Sequence, residues 1–122
     1  MPLVPIDFSK TTIYIIRCND EAITDCYIGS TTNFTNRKSS HRKACTQQGN
    51  TNYNYKVYDF IRKNGGFDNW SIIPLENFSC ENSIQKQIRE QHWMDLFRPT
   101  LNVMNAYCKN EKARQYRKKY ND

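Results

Sequence analysis

Apolar and polar positions along this chain switch between a period of two and a period of three to four, and the switches mark out six elements. Thr11 to Cys18 (TTIYIIRC) is β-branched and aromatic, which predicts a central strand. After the polar loop NDEAITD, Cys26 to Ser30 (CYIGS) predicts a second strand, and the two read as an antiparallel hairpin. Asn69 to Glu76 (NWSIIPLE) predicts a third, with Pro74 marking an edge position or the strand's end because proline donates no ladder hydrogen bond. Between these strands the period lengthens. Asn33 is an N-cap for a helix through Thr46, on which Phe34, Arg37, Lys38, His41 and Cys45 share one face. Tyr53 to Lys63 places Tyr55, Tyr58 and Ile61 at helical spacing, and Asn64-Gly65-Gly66 stops that helix. Ser79 caps a third helix running to Phe97, which Pro99 ends. The order β-β-α-α-β-α predicts an α+β fold, a small three-stranded antiparallel sheet flanked by helices.

Length and composition narrow what this unit can be. At 122 residues the chain is read as one globular body over 1–105 and a tail over 106–122. A hydrophobic fraction of 38% supports a core, while a mean hydropathy of -0.87 excludes a membrane protein. The start, MPLVPIDFSK, lacks the basic and apolar regions of a secretory signal, so the expected location is intracellular, cytoplasmic or nuclear. The five cysteines (Cys18, Cys26, Cys45, Cys80, Cys108) include no C-x-x-C pair, which argues against a disulfide framework and a zinc ribbon. His41 with Cys45, or Cys18 with Cys26, is the conceivable alternative metal pair.

Charge then points to a partner. The net charge of +6 fits a polyanion, and six Lys/Arg stand against two Asp/Glu from Lys109 onward. The tail is helix-compatible from Ala106 to Tyr120 but polar all round, so helix and disorder are both open. Its interleaved Lys/Arg, Tyr116 and Tyr120 suit phosphate contacts and base stacking as well as a solubilising terminus. The body carries one basic cluster, Arg37, Lys38, Arg42 and Lys43, readable as a phosphate-contacting surface or as a solvated helix face.

Four further residues bear on chemistry. Tyr14 and Tyr27 lie on adjacent strands and read either as core tyrosines or as a functional pair. Gly29 ends an apolar strand, where glycine permits close approach of a backbone or a ligand such as phosphate. Glu90 has Trp93, Met94 and Phe97 at i+3, i+4 and i+7, and a carboxylate on an apolar stripe needs a partner. Lys86 one turn earlier is one candidate; a hard cation that takes oxygen ligands is the other.

The ordered set Thr12-Ile13-Tyr14, Tyr27-Ile28-Gly29, Phe34-x-x-Arg37-x-x-x-His41, Glu90-x-x-Trp93 and Leu101-Asn102 resembles the GIY-YIG nuclease domain in order and approximate spacing. The stretch Phe60 to Gly66 and the Trp70-Ser71-Ile72 strand are similar to that family's middle section, so the resemblance covers about residues 11 to 105. It implies a nuclease domain over 1–105 that hydrolyses DNA phosphodiesters with one divalent ion, Mg²⁺ or Mn²⁺, held by Glu90. By the same resemblance Arg37 contacts the scissile phosphate, Tyr14 is the general base and Tyr27 positions water or phosphate. His41 matches a position tied to catalysis or proton relay, and Asn102 a polar residue supporting the site. Gly29, Lys38, Arg42, Lys43 and Asn102 are the expected substrate-binding residues. Thr12 departs from the glycine in the family's name.

These residue types suit the chemistry. Phosphodiester hydrolysis needs an activated water and positive charge against the phosphoryl oxygens. Arg37 offers a planar fork for two such oxygens, and a tyrosine with an ordinary pKa near 10 needs a tuned environment to act as a base. The expected partner is DNA, with a homodimer or partner protein if both strands are cut at once. The alternatives are a non-catalytic nucleic-acid-binding module on the same fold and a protein-interaction domain.

Overall fold

The computed structural model describes residues 5–107, so the tail from Cys108 onward, with its expected helix and phosphate contacts, lies outside the described residues. The observed elements are β1 (Thr12–Cys18), β2 (Cys26–Thr31), α1 (Phe34–Thr46), α2 (Lys56–Lys63), β3 (Trp70–Asn77) and α3 (Ser83–Phe97), the α+β order expected. The sheet is antiparallel throughout in the order β2-β1-β3. The most apolar segment, β1, is therefore the centre. Pro74 lies on the edge strand β3 opposite Tyr14, where the ladder shifts register between Ile13 and Tyr14. A residue with no N–H is tolerated at such an irregularity.

Alternate residues of β1 feed two cores. Tyr14, Ile16 and Cys18 pack with Ala44 and Cys45 of α1, Val57, Tyr58 and Ile61 of α2, and Trp70. Ile13 and Ile15 pack on the other face with Ile28, Cys26 and Met94 of α3. The result is a sheet sandwiched between an α1–α2 layer and an α3 layer. Ala106 is buried in this second core, and Gln91 Oε1 accepts from its backbone N–H at 2.8 Å, so the folded body includes the start of the basic tail.

Local chemistry explains the helix ends. Asn33 caps α1 as expected, its side chain accepting from Asn36 N at 3.1 Å. Two starts differ. α2 begins at Lys56 rather than Tyr53, because the residues from Asn50 to Tyr55 close successive turns on themselves. α3 is capped by Asn82, which accepts from Gln85 N at 2.9 Å, and Ser79 lies outside it. The chain there is still pinned to the sheet, with Phe78 N donating to Thr11 O and Cys80 N to Phe8 O. Among the described residues no helix is long and apolar enough to cross a membrane.

Candidate active site

The β1–β2 register pairs Tyr14 with Gly29 and Ile16 with Tyr27, which puts both tyrosines and the glycine on the α1 face. Gly29 has a specific reason to lack a side chain. A Cβ there would lie 2.5 Å from Tyr14 Cζ and collide with the hydroxyl as well. The close approach foreseen at this glycine is thus made by Tyr14 itself, whose ring crosses over β2.

Tyr14 is 1% exposed, and its hydroxyl sits 2.7 Å from His41 Nε2 and accepts from Arg37 Nε at 3.3 Å. His41, also 1% exposed, places its other nitrogen 2.7 Å from the hydroxyl of Tyr58. The helical spacing of Arg37 and His41 on α1 delivers both to the Tyr14 hydroxyl. Tyr58 comes from α2, and no sequence signal separated it from an ordinary core tyrosine.

Burial controls the ionisation of this group. It pushes Tyr14 well above the ordinary tyrosine range, reinforced by Tyr27 and opposed by Arg37. It likewise raises Tyr27, with Glu90 adding to the effect. Tyr58 is pushed up to about 12 by burial. His41 is pushed down to about 3, by burial first and then by the Arg37 charge, so the imidazole is neutral at physiological pH. Three neutral rings in series thus stand behind a fixed guanidinium.

Glu90 reaches the same place from the opposite layer. The site lies at the outer edge of β2, where side chains from α1 on one face and α3 on the other converge. The resulting cleft, about 1620 Å³, is lined by Tyr14, Tyr27, Gly29, Ser30, Arg37, Lys86 and Glu90 among others. Glu90 is half-buried, and its Oε1 accepts from the hydroxyl of Ser30. Lys86 Nζ in turn donates to Ser30 Oγ at 3.2 Å. The apolar stripe expected around Glu90 is only partial: Met94 is buried, but Phe97 is 44% exposed. The partner chosen is a serine that sequence reading passed over.

Other expected site residues fall in different places. Asn102 accepts from Ile28 N at 2.9 Å and donates to Ile28 O at 2.8 Å, and Leu101 N donates to Cys26 O. Both functions of the Asn102 amide are therefore spent on holding the β2 edge, a supporting position. Lys38 lies over the Phe34 ring, and Arg42 pairs with Asp68 at 3.3 Å; neither they nor Lys43 line the cleft. Thr12 occupies ordinary strand backbone and donates to Asn77 Oδ1, so glycine is not required there.

The alternative metal pairs are not formed. Both His41 nitrogens face tyrosine hydroxyls, and burial raises the Cys45 thiol. Cys18 and Cys26 belong to opposite cores. Among the described residues no three His, Cys, Asp or Glu are grouped to hold a metal. The donors around Glu90 are oxygens, its own carboxylate and the neighbouring hydroxyls, and Asp95 adds a second carboxylate to the cleft lining. That set fits an ion such as Mg²⁺ that keeps several waters and completes its shell with phosphate oxygens.

A family model described as the GIY-YIG catalytic domain matches residues 10–105. No curated protein and no solved structure gave a significant match.

Proposed function

The chain belongs to the GIY-YIG family, a family of nucleases acting on DNA, and from that premise we propose that it is a divalent-metal-dependent DNA endonuclease with one metal site and Tyr14 as general base. The observation that carries the reading is the convergence on one cleft of Tyr14, Tyr27, Arg37 and Glu90 from both layers of the fold.

Each residue has a role its surroundings support. Arg37 stays charged beside Tyr14 and meets a phosphate oxygen, where it offsets the charge that grows as water attacks. Tyr14 accepts a proton from that water, with His41 Nε2 within reach of its own hydroxyl proton. Tyr27 is half-buried at the cleft and orients the water or the phosphate. Glu90 would hold the divalent ion, oriented by Ser30; when bound, that ion supplies Lewis-acid stabilisation of the phosphate. Lys38, Arg42 and Lys43, outside the cleft on α1, contact phosphates along the duplex.

Conversion of supercoiled plasmid to nicked circles tests this. Nicking is expected with Mg²⁺ or Mn²⁺, lost in EDTA, and reduced at least about hundredfold in Glu90→Ala. Undiminished nicking by Glu90→Ala would refute the metal assignment. Salt-sensitive binding without cleavage under any divalent ion would identify a binding module instead.

A further inference from the structure

His41 is flanked on both ring nitrogens, and the hydrogen-bond inventory around it fixes where its proton resides. Arg37 can only donate, so at Tyr14 Oη it takes up acceptor capacity. Tyr14 must place its own proton on another atom, and of its described partners only His41 Nε2 can accept. A neutral imidazole that accepts at Nε2 carries its hydrogen on Nδ1. The Nδ1–H then donates to Tyr58 Oη at 2.7 Å.

We propose that Tyr58 is a positioning residue that locks His41 in the Nδ1–H tautomer and so keeps the Nε2 lone pair aimed at the Tyr14 hydroxyl. The arrangement is a chain of reacting group, base and orienting third group, with a phenol in the third place. Tyr58 suits it because it is 3% exposed, rigidly packed in the α2 layer, and unable to compete for the phosphate as a carboxylate would compete for the metal.

The role of Tyr58 rests on Tyr14 acting as the base. As water attacks, its oxygen bonds to phosphorus while the bond from phosphorus to the departing oxygen breaks, that oxygen taking a proton from cleft water; one O–H bond of the attacking water breaks and a new O–H bond forms at Tyr14 Oη. Tyr14's original hydroxyl proton crosses to His41 Nε2, while the Nδ1 hydrogen stays on its nitrogen and keeps donating to Tyr58 Oη. After the product leaves, Nε2 returns its proton to Tyr14, and Tyr14 passes one to cleft water. Without the Tyr58 hydroxyl, Nδ1–H would be a buried donor with no partner, the costlier kind of orphan, and the ring would move its hydrogen to Nε2 while the Tyr14 hydroxyl turns its own proton to the cleft it lines. Nε2 would then face Tyr14 as a donor and could not take the proton.

Histidine-ring ¹⁵N NMR on the full chain reads the tautomer directly, since His41 and His92 are its two histidines. Native His41 is expected as Nδ1–H near neutral pH. In Tyr58→Phe that preference is lost and the nicking kcat falls at least about tenfold with KM unchanged. An Nε2–H tautomer in the native chain overturns the proposal, as does a folded Tyr58→Phe that keeps either the Nδ1–H form or the native kcat. The native measurement needs no variant, so it decides the matter even where Tyr58→Phe does not fold. Native-rate nicking by Tyr14→Phe would refute the base reading itself, separately from the tautomer.

Discussion

Gly29 shows how closely one residue can determine another's position. Its missing Cβ is the space in which the Tyr14 ring crosses β2, and that ring is held at its hydroxyl by His41 and Arg37, so it has nowhere to retreat. Gly29→Ala is expected to cost about 1–3 kcal/mol by overpacking. The displaced hydroxyl should also lower nicking by at least about hundredfold, since ångström-scale misplacement of a reacting group is that damaging. Urea denaturation alongside the plasmid assay separates the two effects; native stability and rate together would show that Tyr14 has another way to fit. Residues such as Tyr14, Arg37 and His41 were legible in the sequence because spacing along a strand or helix sets their direction. Tyr58 and Ser30 were not. Each meets its partner across a long loop of chain, Tyr58 at His41 and Ser30 at Glu90, and a tyrosine in an apolar helix or a serine ending a strand gives no local sign of it.

Elements were legible where local chemistry alone decides them. The Asn33 cap, the Asn64-Gly65-Gly66 stop and the β1–β2 hairpin follow from residues a few positions apart. Boundaries decided by distant contacts were less so, as at α3, whose approach remains tied to Thr11 and Phe8 until Asn82 caps the helix. The other end of α3 carries a conflict of its own. Arg98, the C-cap, adopts a left-handed backbone at φ 47°, a position that favours glycine, yet its side chain borders the cleft. Arg98→Gly should therefore relieve about 1 kcal/mol of strain and raise the thermal midpoint. At the same time it should weaken DNA binding through loss of a cation at the cleft rim. Differential scanning calorimetry with a fluorescence-anisotropy titration checks both; a lower midpoint would mean that the Arg98 side chain supports the fold.

At the scale of the whole molecule, burying a neutral histidine makes stability depend on acid. Folded His41 takes up a proton only near pH 3, whereas the ordinary imidazole does so at 6.5. Its contribution is complete above pH 6.5 and is lost as pH falls toward 3, because the unfolded chain binds a proton that the folded one refuses. Between those limits the loss approaches about 1.4 kcal/mol per pH unit. Urea midpoints measured from pH 7 to pH 5 should fall accordingly in the native chain and much less in His41→Gln; equal slopes would place the acid sensitivity elsewhere. The same dependence on a finished core applies to the cleft. Tyr14 stands on β1 and Glu90 on α3, and their side chains come together from opposite layers around the edge of β2. A partly melted chain that loses the packing of α3 separates the tyrosine from the carboxylate. The cleft therefore exists only while both layers are packed on the sheet, so its shape reports the integrity of the whole fold.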